Sequence, residues 1–105
     1  MSSKHVRVRA TAESELQLAI AYYLSEGAHD AASDLIDEFE HALKVIGEYP
    51  GIGSAWLEAE LGLPGVRAFS FDKFPYLIVY FDTAAFVDVR HMLHTRVDIP
   101  RRLSE

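Results

Sequence analysis

An α+β fold is what this chain of 105 residues predicts, and two changes of period carry the expectation. Apolar residues recur at helical spacing from Leu16 to Ile46; after Gly65 the period drops to two, in runs rich in β-branched and aromatic residues. A short alternating stretch precedes both. The order is therefore an N-terminal strand, an antiparallel helical hairpin, then a three-stranded antiparallel meander completing one sheet, with the hairpin packed on one sheet face. On length alone, residues 1–105 form one domain, large enough to bury roughly two-thirds of its unfolded-chain surface and to fold without staples.

Taken in order, His5 to Ala10 alternates Val6 and Val8 with His5, Arg7 and Arg9, the pattern of a half-buried strand. Thr11 is the predicted N-cap of the first helix, over 12–26. Glu13 and Glu15 favour its dipole, Leu16, Ile20, Tyr23 and Leu24 form its apolar positions, and Gly27 stops it. A second helix over 30–47 puts Ala32, Leu35, Ile36, Phe39, Ala42, Leu43 and Ile46 on one face, until Gly47, Pro50 and Gly51 end it. Residues 51–65 carry Gly51, Gly53, Gly62, Pro64 and Gly65 and read as a connection, with at most a short helical turn within 55–61. Strands follow over 66–71, 76–81 and 86–93, joined by connections of hairpin length.

Composition narrows the function. No cysteine is present, which excludes thiolate zinc sites and cysteine nucleophiles and fits a reducing cytoplasm. No apolar run approaches the roughly 20 residues of a membrane span, so no membrane partner is expected. The net charge of −6 is unevenly divided. Residues 1–10 carry +3, residues 11–62 carry −10, and residues 63–105 carry +1. An acidic helical block repels phosphate backbones, so neither an extended duplex grip nor sequence-specific nucleic-acid binding is expected. The basic ends remain available to an acidic protein segment.

The order and spacing of several short motifs resemble one family. Tyr49-Pro50-Gly51-Ile52-Gly53 closes the second helix, Leu63-Pro64-Gly65-Val66-Arg67 opens a strand, Tyr76 to Tyr80 forms the next, and Val89-Arg90-His91-Met92-Leu93-His94-Thr95-Arg96-Val97-Asp98 ends the last. Together these are similar to the ParE branch of the ParE/RelE toxin superfamily of bacterial toxin-antitoxin systems, over nearly the whole chain. The resemblance implies a RelE-like fold, a cognate ParD-like antitoxin that wraps the toxin, and poisoning of DNA gyrase.

The other branch of the superfamily implies an alternative, a ribosome-dependent messenger RNA endoribonuclease. Attack by a 2′-hydroxyl needs a general base, a general acid and cations around the phosphorane. The candidates here are Arg67, Arg90, His94 and Arg96. Only Lys4, Lys44 and Lys73 are lysines, none in the last strand, and no tyrosine follows Tyr80, which weakens the nuclease. A third possibility is an interaction module that has lost toxicity. No metal or cofactor is expected: the histidines His5, His29, His41, His91 and His94 are scattered, and there is neither a nucleophile elbow nor a Gly-rich phosphate loop.

Two surfaces follow as expectations. Arg90, His94, Arg96, Arg101 and Arg102 form a target-binding end at the C-terminus, while Arg67, Phe69, Phe71, Tyr76 and Tyr80 face the antitoxin. The second set rests on alternation: the strands hold too many aromatic residues for one face, so some must meet a partner or be covered by the C-terminal tail.

Overall fold

The computed structural model describes residues 3–97 and 99–104, with only the backbone of Pro100, Arg102 and Ser104. Its elements are β1 (Val6–Val8), α1 (Ala10–Ser25), α2 (His29–Glu48), α3 (Trp56–Leu61), β2 (Val66–Ser70), β3 (Tyr76–Asp82), β4 (Val87–His94) and α4 (Ile99–Ser104). The four strands form one sheet in the order β1-β4-β3-β2. Its meander is antiparallel as expected, and β1 adds to β4 in parallel, Val6 beside Val87 and Val8 beside Val89.

That parallel pairing corrects the start of α1. Arg9 N–H still donates to the Val89 carbonyl at 2.9 Å, so the chain stays in the sheet through residue 9 and turns at once into the helix. Arg9, not Thr11, is the N-cap; its side chain makes no capping bond, and Thr11 lies inside the first turn. The other end is built as the sequence reads. Gly27 takes φ +74°, a left-handed conformation that glycine adopts without a Cβ penalty, and the N–H groups of Gly27 and Ala28 return to the carbonyls of Leu24 and Tyr23. This closure lets α2 start two residues later and run back against α1.

The hairpin fills one side of the sheet. Leu16, Ala19, Leu35, Phe39, Ala42 and Ile46 meet Ile78, Tyr80, Val87, Val89 and Met92 in a single buried cluster. Val89 and Met92 are three residues apart, an odd number that strict alternation would put on opposite faces. A bulge resolves this: Tyr80 pairs with Val89 and Val79 with His91, leaving Arg90 unmatched and restoring the parity of the strand beyond it.

The second face is covered from within the chain. A further cluster joins Val66, Ala68, Leu77, Val79 and Leu93 of the sheet to Leu57 of α3 and Ile99 of α4, with Leu61, Phe81 and Leu103 packed beside it. The helix at 56–61 ends on Gly62 in the left-handed conformation. The segment from Ile99, expected only as a basic tail, is a helix tied down by Ile99 and Leu103. No helix of the described residues is long and apolar enough to cross a membrane.

Candidate functional site

The bulge on β4 and the parallel strand beside it gather the basic groups of the two chain ends. Asp88 sits just before the bulge, 2% exposed, the buried charged residue among those described. Arg9 approaches it with two hydrogen bonds of 2.9 Å, Nε to Oδ1 and Nη2 to Oδ2, and Arg90 adds a third from Nε to Oδ2 at 2.8 Å. Arg90 also lies 4.5 Å over the Phe81 ring, and Arg7 lies 4.3 Å over Phe86. One carboxylate thus orients two guanidiniums whose other faces reach water, with a third arginine alongside. The sequence reading missed Arg7, Arg9 and Asp88 as a unit. The +3 of the first ten residues was a signal, yet no local pattern says that β1 lies beside β4.

Hydrogen bonding from Arg9 lowers the Asp88 pKa most; desolvation opposes it, and the Arg90 hydrogen bond and both positive charges lower it further. With the folded pKa below the unfolded value of about 3.9, the stabilisation is present above the unfolded pKa and is lost as pH falls through the folded one. Asp88→Asn should therefore cost on the order of 1 kcal/mol at neutral pH, held down because both arginines are about half exposed, and should flatten the acid limb. Urea denaturation of the two proteins across the acid range measures both effects; an unchanged acid limb in the variant would refute the assignment.

Arg67 does something different. Its Nη1 donates to the Gly53 carbonyl at 2.9 Å, clamping the loop after α2. The same loop is held by Tyr80, whose hydroxyl donates to the Pro50 carbonyl at 2.7 Å and accepts from Gly53 N–H at 2.9 Å. The Tyr49 to Gly53 motif is thus a latch closed by two side chains of the sheet. The proposed antitoxin-facing set needs correction here. Phe69, Phe71, Tyr76 and Tyr80 all pack on the side of the helical hairpin, Tyr80 at 0% and Phe71 at 7% exposure. Phe71 and Tyr80 are core residues that no docking segment reaches. Alternation assigned two sets correctly and the faces wrongly, because nothing local says which set the hairpin covers.

His94 and Arg96 lie at the far end of the sheet. His94 pairs with Tyr76, the ring centroids 5.2 Å apart and edge to face. Its Nδ1 accepts the Arg96 N–H at 3.0 Å. Arg90 is four residues back along β4, ~13 Å away in a strand, and Arg67 is on the other side of β3. Arg67 shares a face with Tyr80, Arg90 lies with Phe81 on the opposite one, and His94 stands at the strand end, so the four residues that RNA cleavage would need do not converge. Arg101 is exposed on α4. Asp98 and the Arg102 side chain lie outside the described residues.

His91 points to another missed residue, Glu15. The Glu15 carboxylate reaches over the edge that β1 leaves open on β4, accepts Met92 N–H at 3.1 Å and lies 3.2 Å from His91 Nδ1. It blunts that edge against further strand pairing. Among the described residues no group of His, Asp or Glu is placed to hold a metal.

No family model matches the chain, and no curated protein does. Solved structures do. One of them, "Chromosomal ParDE TA system from P. aeruginosa", superposes with a TM-score of 0.73 over 88% of this chain and 96% of that one, at 13% identity. The chain has the fold of a ParDE system component. The strand, hairpin and meander that the sequence predicted are the elements of this fold. At this identity it fixes the backbone plan and leaves the side-chain roles to be argued from their geometry.

Proposed function

We propose that this protein is the toxin of a type II toxin-antitoxin module, inhibiting DNA gyrase in the cytoplasm and neutralised by a cognate ParD-like antitoxin. The observation that carries the reading is the fold shared with a ParDE chain over nearly nine-tenths of this one. The dispersal of Arg67, Arg90, His94 and Arg96 favours an inhibitor that acts by contact over a nuclease, since a general acid, a general base and a phosphorane clamp must meet at one phosphate.

The antitoxin segment belongs on the second sheet face, where α3 and α4 leave an apolar groove of about 100 Å³ lined by Leu61, Leu63, Val79 and Phe81 and rimmed by Arg90 and His91. Arg7 and Arg9 extend the positive rim, so an acidic segment with apolar anchors fits. Binding that orders such a segment favours the folded toxin by mass action, and the complex should melt several degrees above the toxin alone. A thermal-shift titration with the product of the adjacent gene measures this; no shift at saturation would reject the pairing.

Target contact falls to the C-terminal end, His94, Arg96 and Arg101. Arg96→Ala with Arg101→Ala should weaken inhibition of gyrase supercoiling at least tenfold while leaving the melting temperature nearly unchanged, since exposed arginines add little to stability yet anchor interfaces. Supercoiling assays run beside cell-free translation decide the matter. A folded protein that spares supercoiling and cuts messenger RNA on ribosomes would replace this reading with the nuclease.

A further inference from the structure

The cleft at the far end of the sheet sets three tyrosines, for which the proposed gyrase contact has no role, beside the His94 and Arg96 that this contact uses. It measures about 450 Å³, within the range of small-ligand sites, and is lined by Tyr22, Tyr23, Pro75, Tyr76, His94 and Arg96. Among the described residues no acidic side chain lines this cleft. Three elements build it. The last turns of α1 supply Tyr22 and Tyr23, their rings 5.3 Å apart edge to face. The start of β3 supplies Pro75 and Tyr76, and the turn after β4 supplies Arg96, held in place by Thr95 N–H on the Pro75 carbonyl at 2.8 Å.

The polar groups are fixed as well as the rings. Arg96 N–H donates to His94 Nδ1, so the neutral imidazole carries its own proton on Nε2, leaving that N–H as a donor for a ligand. The Arg96 side chain is exposed, and its guanidinium has no ion pair among the described residues. Tyr23 and Tyr76 have pKa values raised by burial first and by neighbouring phenols second, which keeps these rings neutral and marks the three tyrosines as near neighbours.

We propose that this cleft binds a nucleotide, with the base stacked on the exposed Tyr22 ring beside the half-buried Tyr23 and Tyr76, and the phosphate held by Arg96 and His94 Nε2–H. A carboxylate from a peptide would use the cation but not the phenol rings; a nucleotide uses both parts, because its base has a π face and its sugar carries a phosphate at about the reach of an arginine. Stacking reads no sequence, and a single unit at the sheet end escapes the repulsion that the acidic helices exert on an extended duplex. Two sources carry this chemistry, a free nucleoside 5′-phosphate and the 5′-end of a single strand.

Calorimetric titration of the full chain with adenosine 5′-monophosphate, adenosine, inorganic phosphate and a short 5′-phosphorylated oligothymidylate tests it, apart from any assay of gyrase. The monophosphate should bind more tightly than adenosine or phosphate alone. Tyr22→Ala should weaken it on the order of tenfold. Arg96→Ala should erase the advantage of monophosphate over adenosine, and Tyr49→Ala, an exposed tyrosine elsewhere, should change nothing. Tighter binding of the oligonucleotide assigns the cleft to a strand end, and equal binding assigns it to the free nucleotide. No heat at millimolar monophosphate, binding matched by inorganic phosphate, or undiminished affinity in Tyr22→Ala would overturn the proposal.

Discussion

Leu35→Ala should remove about 2–5 kcal/mol of stability and Phe39→Ala about 3–5 kcal/mol, a large share of the 5–15 kcal/mol that a domain of this size commands. Both side chains leave α2 for the centre of the helix-side cluster, Leu35 at 0% and Phe39 at 5% exposure, between α1 and the β3-β4 surface. The sheet cannot collapse onto the space they vacate, because its strands are pinned by continuous pairing and its other face is packed against α3 and α4. The cavity therefore persists and its cost adds to the lost transfer term. Thermal unfolding should move down by roughly 10 °C or more in each variant. Ile36→Ala, one position from Leu35 and 37% exposed, is the comparison: it should lose clearly less, and equal losses at both positions would mean that α2 buries a different face.

Gly53→Ala carries the second large effect, at a residue that looks like an ordinary turn glycine. A Cβ there would lie 2.6 Å from the Tyr80 hydroxyl oxygen, 2.9 Å from its Cε1 and 3.0 Å from the Arg67 Cβ. Tyr80 cannot swing away, being wholly buried and held by hydrogen bonds to both Pro50 and Gly53. Overpacking of this kind costs about 1–3 kcal/mol, and loosening the two hydrogen bonds adds about 1 kcal/mol each. Tyr80→Phe removes the hydroxyl that the new methyl group meets, so the double variant should cost less than the two single variants together. Chemical denaturation of the four proteins gives the coupling; strict additivity would show that the latch and the glycine act separately.

How much of this was legible beforehand can be judged residue by residue. The period of Leu35, Phe39, Ala42 and Ile46 placed α2 and its buried face, since a helix that packs on one side repeats its apolar residues every turn. Gly27 marked a real left-handed closure. The strand runs from Val66, Tyr76 and Phe86 came within a residue or two of β2, β3 and β4, and the fold class followed from their order. These are local properties, written wherever a segment buries one side of itself.

What the sequence could not contain were facts about distant pairs. The parallel docking of β1 on β4 moved the helix cap from Thr11 to Arg9 and made Asp88 the common partner of Arg9 and Arg90, residues separated by some eighty positions. The bulge at Arg90 switched the parity of β4, and the hairpin took the face carrying Tyr76 and Tyr80, turning an expected docking surface into core. Tertiary contact alone decides which of two alternating faces is covered, because alternation is symmetric and only the helix that packs against it breaks the symmetry.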